Sequence, residues 1–190
     1  MTKPFTKDTA FVDDWLAKLV ADRGAIAALR RGLGKAPGTV HEMDRYILPF
    51  VSGEPDEPYY LLAALFAAWH QGKDVMVTCD GDFGQSLRAM VNLDQNREEA
   101  EKRLEKRFIA LLNCHRDDLP QHLRQLSGLL KSKDVPVNWA QLLHDIRWWN
   151  REDREVQRSW ARSFWSAARS TNEESHLEDI ENPNQEGDEE

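Results

Sequence analysis

The chain has 190 residues, of which 41% are hydrophobic and 31% charged, with a formal net charge of −8. That is enough length and apolar content to bury a core, so a disordered chain is excluded. No apolar run approaches the roughly 20 residues of a spanning helix, and no membrane partner is expected.

The start, MTKPFTKDTAFVDDW, is broken by Asp8, Asp13 and Asp14 and does not read as a secretory signal, so the cytoplasm is the expected compartment. In residues 8–20, Phe11, Val12, Trp15, Leu16, Leu19 and Val20 recur at helical spacing. Asp22 is placed to cap a second helix over 23–33, which Gly34 ends. A short helix is expected over 41–50. Pro58 opens an Ala- and Leu-rich helix over 59–70, apolar enough to be buried on most sides and closed by Gly72.

Residues 73–86 lose their period around CDGDFG and read as a loop, followed by a short helical piece at 87–91. Helices are then expected over 97–113, 119–131, 138–149 and 152–168. In the third of these, Trp139, Leu142, Leu143, Ile146 and Trp149 share a face. Strand-type alternation is nearly absent. The fold class is therefore all-α, a helical bundle of two small lobes: 1–72, a loop and connector at 73–96, and a second lobe with basic faces at 97–170. Residues 171–190 are acidic and aperiodic, and a disordered tail is expected there.

Charge is unevenly placed. The tail holds nine acids and no Lys or Arg, so in residues 1–170 the 25 basic groups face 24 of the 33 acids. Residues 97–170 carry 15 basic and 11 acidic groups. On a helix over 152–168 extended to its flanks, Arg151, Arg154, Arg158, Arg162 and Arg169 fall in one arc of roughly 80°. Val156, Trp160 and Phe164 lie opposite. Five arginines without a lysine suit bidentate phosphate recognition, and Trp165 beside them is placed to stack on a base. The competing reading is a solvated face balanced by Glu155. In residues 97–113, Glu98 to Lys102 and Glu99 to Arg103 are i, i+4 pairs, which leaves Lys106 and Arg107 unmatched.

Catalytic signatures are lacking: no HExxH, phosphate loop, GxSxG or CxxC occurs. Cys79 and Cys114 have no ligand-spaced partners, so neither a disulfide framework nor zinc is indicated. Asp80 and Asp82 read as a turn, with a metal-dependent nuclease as the less favoured alternative. No enzyme activity and no cofactor are expected. A helical adaptor that uses its seven Trp residues to bind proteins remains a second alternative.

Four segments in order, DRGAIAALRRGLGKAPG, SLRAMV, LEKRFIALLNCHRDDLPQHLRQLSGLLKS and VNWAQLLHDIRWWNREDREVQRSWARSFW, resemble the CasB family. This is the small subunit of the type I-E CRISPR surveillance complex, Cascade. The resemblance covers most of residues 8–168; the acidic extension lies outside the family pattern. It implies a two-lobed helical, non-catalytic subunit, present in two head-to-tail copies. It also implies contact with the backbone subunits on the guide RNA and with the large subunit. The target and displaced DNA strands of the R-loop would be held by basic residues, while base pairing reads sequence. Carried over by position, the contacts are Arg30, Arg31, Arg88, Arg107, Arg116, Arg124, Arg147, Arg151 and Arg154; the helix face adds Arg158 and Arg162.

Overall fold

The computed structural model describes residues 6–51 and 57–178, with side chains for 7–51 and 57–166. Nine helices and no strand are present among the described residues. Helix α1 begins at Thr6–Thr9 and continues through a π-helical run, Ala10–Leu16, into Ala17–Leu19. It is followed by α2 (Arg23–Arg30) and α3 (Asp44–Ile47), the latter between the 3-10 turns His41–Met43 and Leu48–Phe50. Then come α4 (Glu57–His70), α5 (Phe83–Asn92), α6 (Arg97–Asn113), α7 (Leu119–Ser132), α8 (Trp139–Arg147) and α9 (Glu155–Glu178). No helix among the described residues is long and apolar enough to cross a membrane.

Caps explain several of these boundaries. The Asp22 carboxylate accepts from the backbone N–H groups of Gly24 and Ala25, as its position predicts. Asn96 caps α6 through Glu99 N, and Asn138 caps α8 through Gln141 N. Two starts differ from the sequence expectation. Helix α5 begins at Phe83, not Leu87, because Asp82 caps Gln85 N at 3.0 Å and Phe83 packs on Trp160 with ring centroids 5.2 Å apart. The last helix begins at Glu155, not Glu152, because Arg154 takes φ 50° and the Asp153 carboxylate accepts from Glu155 N at 3.1 Å. That helix also continues to Glu178, so residues 171–178 are helical where a structureless tail was expected; residues 179–190 lie outside the described residues.

Helix α4 is the centre of the molecule. Tyr59, Leu62, Ala63, Phe66 and Trp69 are at most 1% exposed, and the helix meets α2, α7 and α8. One continuous apolar cluster runs from Phe11 to Phe164. Four of the seven tryptophans, Trp69, Trp139, Trp149 and Trp160, lie fully inside it, so most of the aromatic content serves packing rather than binding. Helices α5 and α9 pack most closely: a Cβ on Gly84 would stand 2.2 Å from the Trp160 carbonyl oxygen, so only glycine lets these two backbones meet. This contact fixes how α9 presents its outer face.

Candidate nucleic-acid interface

On α9 itself, Val156, Trp160 and Phe164 are buried, while Arg158 and Arg162 are exposed on the other side. Neither guanidinium group has a hydrogen bond or ion pair among the described residues. The five-arginine arc needs correction, however. Arg151 and Arg154 precede the helix, so the 100° wheel does not place them. Arg154 donates to the Leu112 carbonyl at the end of α6. Arg151 is held 2.7 Å from Asp153 and 3.9 Å from Glu155, with its guanidinium 5.6 Å from the Trp148 ring. The side chain of Arg169 lies outside those described. Trp165, expected beside the stripe as a stacking surface, is half-buried against Phe108 and donates to Glu105 at 3.2 Å.

The remaining arginines divide by what already holds them. Arg88 is 5% exposed and pairs with Glu101 at 2.9 Å between α5 and α6, which removes it from any surface on which a strand could lie. Arg147 reaches inward to Asp8 at 2.8 Å and lies 5.8 Å from the Tyr59 ring. Arg116 donates to the Ile146 carbonyl, and Arg31 pairs with Glu42 at 3.3 Å on the surface. Arg107 is exposed on α6 next to Lys106, and both stand clear of the Glu98–Lys102 and Glu99–Arg103 pairs, as the sequence predicts. Arg124 is exposed on α7, and Arg30 is half-buried on α2. The fold thus leaves Arg30, Arg107, Arg124, Arg158 and Arg162 with the least internal demand on their charge.

Lys131 and Lys73 lie beside Arg30, and Lys131 is pulled below the ordinary lysine value, first by burial and then by the charges of Arg30 and Lys73. Only tertiary packing of α2, α4 and α7 brings these together. Trp148, 44% exposed beside Arg151, is a further surface ring, and the face shared by Trp139, Leu142, Leu143, Ile146 and Trp149 already leaves it on the opposite side.

The acidic candidates have internal roles. Asp82 accepts from Ser159 Oγ at 3.0 Å and Ser163 Oγ at 2.8 Å while capping α5, so its oxygens bind the last helix to the DGD turn. His70 is buried; its Nε2 accepts from Val77 N, and Nδ1 lies 3.0 Å from the Phe66 carbonyl, the neutral tautomer that burial favours by lowering its pKa to about 4.

Asp145, 4% exposed, accepts from Trp160 Nε1 at 2.6 Å and Gln141 Nε2 at 2.9 Å. Burial outweighs these bonds and, with a small contribution from Asp82, raises its pKa from 3.8 to about 7. A carboxyl raised in the folded state favours folding when protonated. Its contribution is therefore fully present below about pH 4 and is lost as pH rises through about 7, on the order of 4 kcal/mol at about 1.4 kcal/mol per unit. In urea unfolding between pH 4.5 and 8 the parent is expected to lose stability relative to Asp145→Asn as pH rises, the difference removing the opposite slope that His70 gives both chains; parallel curves would refute it.

A family model for CRISPR-associated protein Cse2 matches residues 25–165. The CRISPR-associated protein Cse2 of Thermus thermophilus is 33% identical over 168 residues, spanning 84% of this chain and 91% of that protein. The crystal structure of CasB from M. ruber superposes with a TM-score of 0.67 at 26% identity, over 90% of this chain and 98% of that one. A chain in the structure of a CRISPR RNA-guided surveillance complex gives 0.75 at 25% identity, over 90% and 98%. With the matched segment running from α2 to the buried half of α9, the chain belongs to the CRISPR-associated protein Cse2 family.

Proposed function

We propose that this chain is the small, non-catalytic subunit of an RNA-guided CRISPR interference complex of the Cascade type, acting in the cytoplasm in antiviral defence. In this reading it grips nucleic acid backbone and stabilises the R-loop. The observation that carries it is the division of α9: Val156, Trp160 and Phe164 anchor one side in the core, while Arg158 and Arg162 stand exposed on the other. A rigid helix presenting uncommitted guanidinium groups holds phosphate without reading bases. The same fold in a chain of a surveillance complex supports the setting.

The partners are the guide RNA's backbone subunits, the large subunit, a second copy of this chain, and the target and displaced DNA strands. The connector at 73–96 divides it into lobes at 1–72 and 97–170. A purely protein-binding adaptor draws support from one feature, the exposed Trp148, since aromatic rings of this kind anchor interfaces. Both readings meet in one experiment. The complex is assembled with and without this chain, and R-loop lifetime is followed over a salt series. Omission is expected to shorten the lifetime most at low salt and less as salt rises, with target choice unchanged. Equal lifetimes in the two assemblies would leave the adaptor; DNA cleavage by the chain alone with Mg²⁺ would overturn the non-catalytic assignment.

A further inference from the structure

Two depressions meet at Arg124. The larger is a cleft of about 560 Å³ bounded by the turn at residues 34–37, the start of α4 and the first turn of α7; Lys35, Arg116 and Arg124 line it. The smaller, about 80 Å³, lies between α4 and α7 and is lined by Trp69, Arg124, Ser127, Gly128 and Lys131.

Three independent features mark the smaller one as a seat for an acceptor. Trp69 is 1% and Ser127 5% exposed, yet the Trp69 indole N–H and the Ser127 hydroxyl have no hydrogen-bond partner among the described residues. Buried donors left unmade are costly and uncommon. Arg124 and Lys131 line the dent, where Lys131 Nζ donates to the Ala68 carbonyl, and the Lys131 pKa is lowered first by burial and then by the nearby charges of Arg30 and Lys73. Against them stands Asp134, exposed and 2.7 Å from Lys73. Finally, Gly34 has φ +76°, and a Cβ there would lie 2.8 Å from Arg124 Nη1, so the turn leaves room for the guanidinium at the junction of the two depressions. On the cleft, Glu57 lies 3.9 Å from Arg116, and Asp117 lies 3.3 Å from His115.

We propose that the two depressions together hold one unstacked nucleotide of the bound strand, its phosphate in the dent between Arg124 and Lys131 and its sugar and base in the cleft. This rests on the backbone-gripping function above and adds a defined seat to it. The dent has the room of two to three waters at about 30 Å³ each, which suits a phosphoryl group and not a base. In the cleft, Tyr60, Pro37, Pro58 and Pro120 provide apolar walls for the sugar and base, between the charged side chains that also line it.

The test uses the full chain and two single-stranded DNA probes of equal length and phosphate number, one carrying all its bases and the other abasic. Gln121→Trp fills the cleft from an exposed position, and Gly128→Leu fills the dent, where an added Cβ meets nothing within 4 Å. Neither changes charge, and circular dichroism checks the fold. The unmodified chain is expected to favour the base-bearing probe several-fold. Gln121→Trp is expected to erase that preference at unchanged salt dependence. Gly128→Leu is expected to weaken both probes and reduce the log–log salt slope by about 0.7, one phosphate of a single strand. Equal affinity for both probes, or variants that bind like the parent, would overturn the seat. So would displacement of the probe by inorganic phosphate or a poly-glutamate peptide at the probe's own binding concentration. Arg158→Ala with Arg162→Ala is run alongside: a slope loss there with silent filling variants overturns the seat and leaves the wider function standing.

Discussion

Asp8→Ala and Arg147→Ala are each expected to lower unfolding free energy by about 3 kcal/mol, with the double substitution costing little more than either alone. The Asp8 side chain is 3% exposed, accepts from Arg147 Nη1 at 2.8 Å and from the Tyr59 hydroxyl at 3.2 Å, and so ties α1 to α8 across 139 residues of sequence. Removing one member of a buried pair loses their attraction while the other charge stays desolvated, a loss of roughly 3–5 kcal/mol; partial exposure of Arg147 at 22% places the effect at the low end. Once one is gone, removing the other takes away a charge that no longer has this attraction to lose, hence the strong coupling. Urea titrations of the four corners of the cycle at pH 7 measure this directly. If Arg147→Ala kept full stability and instead flattened the salt dependence of DNA binding, Arg147 would belong to the strand-holding surface, as the family resemblance implies.

Arg147 and Arg88 show why the fold was more legible than the site. Helix positions follow from local information: Asp22 and Asn138 cap where their residue type predicts, and the Ala- and Leu-rich stretch before His70 is buried as its composition requires. The missed start of α5 depends on Ser159, Trp160 and Ser163, some 77 residues beyond Asp82 and more, which no local window contains. Arginine exposure is non-local in the same way. Nothing around Arg88 announces that Glu101 on the next helix will receive it inside the protein, nor that Asp8 will draw Arg147 inward. A helix wheel sorts charges correctly only within the true helix, and a single left-handed residue, Arg154, removes two of the five arginines from the arc.

That same break predicts which arginines on this stretch hold a strand. Arg158→Ala combined with Arg162→Ala is expected to shorten R-loop lifetime and reduce the log–log salt slope by about 1.4 to 1.8, two contacts at about 0.7 for a single strand or 0.9 for a duplex. Alanine favours helix and both side chains are exposed, so α9 keeps its packing through Val156, Trp160 and Phe164. Arg151→Ala with Arg154→Ala is expected to behave oppositely. Arg154 satisfies the Leu112 carbonyl and Arg151 is engaged with Asp153, so their loss lowers stability while the slope changes by less than one contact. Target choice stays the same in both pairs, because phosphate contacts position a strand without reading its bases. The measurement is R-loop lifetime from low to moderate salt in the assembled complex, with thermal unfolding of each free variant beside it. Equal slopes for the parent and the Arg158 and Arg162 variant, with incorporation verified, would take α9 off the nucleic-acid surface. A larger slope loss from the Arg151 and Arg154 pair would mean that their internal bonds open when the strand arrives.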